Sequence, residues 1–204
     1  MAMNGQSTGS SHTRVASVST PNLRTIGFAV NGQGAGIEKK NDGMAESDIG
    51  IRAFVESDLV WAVLLLERDF ASSTVVSRGH VIDAAELPGI VAVREDEPVG
   101  LATYRLNEDD CEMVSLNSVV ENIGAGTALI EAVATAATAT GCRRLWLITT
   151  NDNLHALRFY QKRGFSLAAL YPKAVDQSRA LKDIPRLGAD GIPIRDEIEL
   201  ELWL

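Results

Sequence analysis

Hydrophobic residues recur along this chain at two spacings, and the spacings divide it into elements. "IGIRAF" (49–54) alternates as a strand does, and "LVWAVLLLERDF" (59–70) then repeats at helical spacing behind Ser57 or Asp58 as N-cap. "VIDAAEL" (81–87) reads as a second, weaker helix closed by Pro88-Gly89. "IVAVRED" (90–96), "VGLATYRL" (99–106) and "CEMVSLNSV" (111–119) are three strands, turned at Glu97-Pro98 and at "NEDD" (107–110), and they form an antiparallel meander. A glycine turn and an alanine-rich helix follow through Thr140. Strand "RLWLITT" (144–150), helix "LHALRFYQKR" (154–163), strand "FSLAAL" (165–170), a short helix within "AVDQSRALK" (174–182) and strand "EIELELWL" (197–204) complete the order. The last strand alternates glutamate with apolar residues, which predicts one wet and one buried face in an antiparallel position. The fold class expected is α/β (α+β): a mixed, mostly antiparallel central sheet of six to seven strands with helices packed on both faces.

Residues 1–45 carry Ser, Thr, Gly and Asn without either spacing and read as a disordered extension, leaving 46–204 as one domain. Arg14 and Arg24 precede the first acidic residue, Glu38, which also suits an organelle-directing segment, and Met44 suits a start of synthesis. Of the 204 residues, 46% are hydrophobic, enough for one sizeable core. No run approaches the roughly 20 apolar residues of a membrane helix, and the first ten residues lack a signal core, so a soluble cytoplasmic protein is expected. The net charge of −8 with no lysine-arginine run argues against nucleic acid as a partner. Cys111 and Cys142 are expected to be buried free thiols. His12, His80 and His155 stand apart without ligand-spaced neighbours, so no metal is expected.

Two glycine clusters raise the question of a phosphate site. Backbone donors collect at a helix N-terminus, so the helix that follows is the test. "NGQGAG" (31–36) leads into "IEKKNDG", which has no amphipathic stripe, and fails it. "ENIGAG" (121–126) leads into Leu129, Ile130, Val133 and Ala137 at helical spacing, and passes. No Gly-Lys-Ser/Thr follows, so this is not a P-loop. Further on, Asn153, Ala156 and Tyr160 at i, i+3 and i+7 share one helix face, and Gly164 ends that helix after Lys162 and Arg163.

Strand, Gly-x-Gly turn, helix, strand, then "NxxAxxxY" and "GF", taken together, resemble the Gcn5-related N-acetyltransferase (GNAT) family, over about Ile51 to Leu204. The resemblance implies that Asn122, Ile123, Gly124, Ala125, Gly126 and Thr127 wrap the pyrophosphate of acetyl-CoA. It implies that "CEMVSLNSV" and "RLWLITT" splay apart around the pantetheine arm, with an N–H near Leu116, Asn117 or Ser118 polarising the thioester carbonyl. Asn153, Ala156 and Tyr160 would border the cofactor, with Tyr160 as general acid. Glu112 matches a position the family often uses for a base, with exposed strand residue as the alternative; His80 is a weaker candidate. Glu121 stands where the family carries Gln or Arg, and is expected to point away from the phosphates. Arg143, Arg144, Arg158, Lys162 and Arg163 are candidates for local compensation of the cofactor's charge.

The activity implied is direct transfer of an acetyl group from acetyl-CoA to a primary amine, making the chain an N-acetyltransferase that acts on a small-molecule or peptide acceptor. No membrane partner is implied, and a homodimer is possible within the family. The acceptor pocket would be shaped by residues 59–87 and 171–195; Lys173, Arg179, Lys182, Arg186 and Arg195 suggest an acidic acceptor or an ordinary solvated surface. A non-catalytic acyl-CoA sensor and a nucleotide-binding protein are the rival readings.

Overall fold

The computed structural model describes residues 49–204. The extension expected over 1–45, its alternatives and the glycine cluster at 31–36 lie outside the described residues. Strands β1 (Gly50–Ala53), β4 (Gly89–Arg94), β5 (Glu97–Asn107), β6 (Asp110–Ser118), β7 (Arg144–Thr150), β8 (Ser166–Tyr171) and β9 (Glu197–Trp203) build one sheet in the order β1-β4-β5-β6-β7-β9-β8. Every neighbouring pair is antiparallel except β6 and β7. Helices α1 (Leu59–Phe70), α2 (Ala125–Ala139), α3 (Leu154–Gln161) and α4 (Ala174–Ser178) and a two-stranded hairpin of β2 (Thr74–Ser77) and β3 (His80–Asp83) surround it.

Alternation along the central strands explains why both faces are covered. In β4 and β5, Ile90, Ala92 and Ala102 join Leu129, Val133 and Phe165 in one apolar cluster, whereas Val91 and Leu101 join Ala62, Leu65 and Leu66 of α1 in the other. A strand with an apolar layer on each side reads as a nearly unbroken hydrophobic run, as "GIVAV" does. The alanines of α2 lie on its buried side (Ala132, Ala136 and Ala137), where small side chains let the helix sit close to β4, β5 and β6.

Four local expectations are corrected. "VIDAAEL" is not a helix: Val81 and Ile82 belong to β3, and only a single 3-10 turn, Ala84–Glu86, follows, capped where the Asp83 carboxylate accepts the Ala85 N–H at 3.1 Å. The signal overlooked is Arg78-Gly79, both at positive φ (50° and 75°), the conformation of a tight two-residue hairpin turn. The β4–β5 turn falls at Glu95-Asp96, also both at positive φ, with Glu97 and Pro98 already in β5. Asp58 stands at the N-cap position of α1, but its side chain does not cap the helix; its buried carboxylate takes the Val55 N–H and both terminal nitrogens of Arg52 at 2.6 and 2.7 Å. Finally, the glutamate face of β9 is not wet at Glu197 and Glu199, although it opens to solvent at Trp203. The strand lies between β7 and β8, and Glu197 and Glu199 are only 2% and 5% exposed.

Those glutamates form a buried polar layer. Ser178 Oγ donates to Glu197 at 3.0 Å and the Arg78 backbone N–H does so at 3.1 Å, while Tyr171 and Arg144 donate to Glu199. The Arg78 guanidinium lies over the rings of Trp146 and Tyr171. Buried carboxylates survive only when paired and hydrogen-bonded, so the β2–β3 turn is what allows the glutamates of β9 to face inward.

Candidate active site

The parallel pairing of β6 with β7 stops after three residues, Asp110–Glu112 against Arg144–Trp146. Beyond that point Met113–Ser118 stays on β5 and Leu147–Thr150 stays on β9, so the two strands part and leave a V-shaped opening. The turn from β6 into α2 lies at its mouth. Asn122 (φ 61°) and Gly124 (φ 88°) take left-handed conformations, which place the loop backbone across the start of α2. The amides of Thr127 and Ala128 already donate to the Gly124 carbonyl. Among the described residues the amides of 122–126 have no backbone acceptor, and they lie at the positive end of the helix. Gly126 is glycine for another reason: a Cβ there would lie 2.9 Å from Cζ of Phe159 on α3.

A cleft of about 400 Å³ runs from this turn to α3. Of the residues expected at the site, Leu116, Asn117, Ser118, Asn122, Gly124, Ala125, Gly126, Thr127, Asn153, Ala156 and Tyr160 lie on its wall. Asn153 caps α3, its side-chain oxygen accepting the Ala156 N–H at 3.0 Å, so its place on the wall comes with its place at the helix end. Tyr160 is held edge-on between Phe159 and Phe165 at centroid distances of 5.3 and 5.4 Å. Burial pushes its phenol well above the usual range, the nearby Arg163 offsetting only part of this. Arg163 also borders the cleft: Nε and a terminal nitrogen donate to Thr127 Oγ1 at 2.9 and 2.7 Å, and its guanidinium lies 3.4 Å from the Phe159 ring centroid. A cation is thereby fixed against the first turn of α2.

With that arrangement in view, a family profile described as "Acetyltransferase (GNAT) family" matches residues 60–165. The chain belongs to the GNAT acetyltransferase family. Curated relatives of this GNAT chain include the Bacillus subtilis (strain 168) proteins YxbD and YdhI, each described as an uncharacterized protein. YxbD is 44% identical over 148 residues, 72% of this chain and 92% of the relative. YdhI is 50% identical over 115 residues, 55% of this chain and 72% of the relative. Among solved structures, an IAA acetyltransferase from Bacillus cereus ATCC 14579 superposes with a TM-score of 0.60 at 19% identity, covering 77% of this chain and all of that one. A GNAT family acetyltransferase from Elizabethkingia anophelis with acetyl-CoA bound gives 0.56 at 19% identity over 77% and 99% of the two chains. At these identities the likeness is one of fold.

Some placements in this GNAT domain differ from expectation. Ile123 is packed against the main apolar cluster and not on the cleft wall. Glu121 is exposed and borders the cleft at its mouth. Glu112 is neither exposed nor on the wall of this cleft: it is 1% exposed, with one carboxylate oxygen taking the Ser77 hydroxyl at 2.7 Å and the other ion-paired with Arg105. His80 is exposed on β3, on the hairpin. Of the five cations named as candidates, only Arg163 borders the cleft; Arg143 pairs with Asp109, and Arg144 with Glu199 and Glu201.

The GNAT cleft also has walls that sequence reasoning missed. Arg68 and Asp69, at the C-terminal end of α1, line it together with Val120, His155 and Phe159. Arg68 donates to Asp69 at 2.6 Å and to the Ser118 carbonyl at 3.2 Å, and Asn117 Nδ2 donates to Asp69 at 2.7 Å. Nothing in the spacing of α1 distinguishes this pair from a solvated helix end; it becomes visible only when α1 is laid across β6. Both cysteines are buried and free, and burial pushes the Cys111 thiol up to about 12. Among the described residues no helix is long and apolar enough to cross a membrane.

Proposed function

We propose that this chain is an acyl-CoA-dependent N-acetyltransferase that moves the acetyl group of acetyl-CoA directly to a primary amine. The observation that carries the reading is the position of Tyr160: its phenol borders the same cleft as the open amides of the α2 turn, and no hydrogen bond to it is found among the described residues. The residues present suit acetyl-CoA. Open amides before Thr127, with Arg163 and Arg68 beside them, would hold the pyrophosphate against the charge of an otherwise acidic protein. The parted strands β6 and β7 would take the pantetheine arm as an added strand. A backbone N–H near Leu116–Ser118 would polarise the thioester carbonyl, where a fixed donor is worth most as charge develops on oxygen. That the Elizabethkingia anophelis relative was solved with acetyl-CoA bound supports the same reading.

The amine arrives as an ammonium of pKa about 10.4 and must lose one proton before its lone pair can attack. A C–N bond then forms to the thioester carbon, the nitrogen sheds a second proton, and the C–S bond breaks. The departing thiolate takes one proton from the Tyr160 phenol, which the second amine proton restores, so one proton is released overall. Because burial disfavours the phenolate, Tyr160 keeps its proton until negative charge builds on sulfur beside it. Glu112, enclosed by Ser77 and Arg105, would support this chemistry through the shape of β6 and not by touching the amine.

Replacing Tyr160 with Phe tests the proposal: turnover should fall by roughly 100-fold or more while CoA affinity stays within a few fold. Unchanged turnover would remove Tyr160 from the chemistry. The exposed Glu121 at the cleft mouth favours the rival reading of an acyl-CoA sensor, which predicts CoA binding without turnover of any amine.

A further inference from the structure

A second cavity of about 460 Å³ adjoins the first and shares Arg68, Asp69 and Asn153 with it. The two therefore meet where α1 ends and α3 begins. Most of the second cavity is apolar, with Phe70, Val75, Val76, Ile148, Val175 and Ile184 on its walls. Its charged groups are Asp69, Asp183 and Glu197 against Arg68 and Lys182, an excess of carboxylate. Neither cation is idle: Arg68 is paired with Asp69, and Lys182 donates to the Thr74 carbonyl. Of the basic residues of 171–195, Lys182 alone lines this cavity, and several are engaged within the chain. Arg179 holds the carbonyls of Ile184, Pro185 and Ile194, and Arg195 is paired with Asp196.

At the junction, Asp69 keeps 27% of its side chain exposed. Partial burial alone would raise its pKa, but hydrogen bonds from Arg68 and Asn117 more than offset that and hold it below the usual carboxylate range. It stays ionised and is a poor proton acceptor, which suits holding a cation and not removing its proton. Asn117 is 4% exposed, lines the first cleft beside Asp69, and its Nδ2 donates to the carboxylate at 2.7 Å, fixing Asp69 in place at the junction. The part of the Asp69 carboxylate left exposed is what the junction offers to the donors of an ammonium.

Resting on the acetyl-transfer reading above, we infer that the second cavity takes a primary amine borne on an apolar, uncharged body, and that Asp69 receives its ammonium at the junction. A carboxylate on the acceptor would enter a space already rich in carboxylates, and its desolvation would go uncompensated. The acceptor class is thus an alkyl- or arylalkylamine and not an amino acid, an acidic metabolite or a polyamine.

The matched pair phenethylamine and phenylalanine, which differ by one carboxylate, tests this in the full chain with acetyl-CoA and free-thiol detection, with spermidine, glutamate and a short peptide as further acceptors. We expect kcat/KM for phenethylamine to exceed that for each of the others by tenfold or more. Asp69→Asn should raise KM for phenethylamine about tenfold with little change in kcat, since it removes a ground-state contact; an equal rise in KM for acetyl-CoA would overturn the role of Asp69. Val76→Trp, which fills the second cavity alone, should abolish acetylation while CoA still raises the melting temperature. If CoA gives no thermal shift and no acceptor releases thiol, the transferase reading itself fails. If CoA binds and only an acidic, polycationic or peptide amine turns over, or none does, this inference fails alone.

Discussion

Gly124 and Gly126 stand two positions apart and are glycine for unrelated reasons, which mutation would separate. Gly124 has φ 88°, so alanine there strains the backbone by roughly 1–2 kcal/mol. Gly126 faces Phe159, and alanine must push the ring aside, costing about 1–3 kcal/mol. Both variants should melt a few degrees lower, but at position 126 trimming Phe159 to Leu should recover part of the loss, and at position 124 it should not. Glu121→Gln tests the charge at the cleft mouth: removing an exposed carboxylate beside the proposed phosphate site should lower KM for acetyl-CoA by about two- to fivefold and leave kcat unchanged. The glycines, and separately Asn153, Ala156 and Tyr160, were legible because each set falls in a short local motif whose spacing fixes its own geometry. Arg68 and Asp69 were not, since a helix end 50 residues upstream of Ser118 gives no local sign of what it will be laid against.

Strands and helices were legible to the extent that their spacing decides their burial. The meander and β7, as runs with apolar cover on both faces, and α2, with its apolar stripe turned inward, follow this rule. β9 breaks it. Its glutamates are buried because a turn 119 residues earlier in the chain closes over them, and no pattern within "EIELELWL" reports that partner. The same layer makes Glu112→Gln informative: the Ser77 hydrogen bond can persist, but Arg105 loses its anion, and stability should fall by about 1–3 kcal/mol in chemical denaturation with CoA affinity little changed. At the entry to α1, the Arg52 guanidinium, aided by the Val55 N–H, holds Asp58 below the usual carboxylate range in spite of its burial. A carboxylate depressed in the folded state binds fewer protons there than when unfolded. Its stabilisation is therefore complete above about pH 4 and drains away as the pH falls further. Asp58→Asn should flatten the acid limb of the melting curve. Tyr160 works with the opposite sign: its raised pKa means the unfolded chain gives up the proton first, so folding weakens as the pH rises beyond about 10.

For the molecule as a whole, the proposed assignment of one substrate to each of two cavities that share three residues predicts that both are bound together when the acetyl group moves. Initial velocities should give intersecting and not parallel double-reciprocal lines, and no acetylated protein should survive denaturing mass spectrometry after exposure to acetyl-CoA alone. Neither cysteine is placed to carry the acetyl group, being buried, with the Cys111 thiol far from ionisation at neutral pH. The contact between Gly126 and Phe159 sets a further constraint. That ring touches the start of α2 on one side, stacks beneath Arg163 on another, and meets Tyr160 edge-on. It is a pivot on which the proposed phosphate end and the proposed sulfur end of the site would both turn. Changes on either side of it should fail to add in a double-mutant cycle, and evolution cannot adjust the grip on one end of the cofactor without retuning the other.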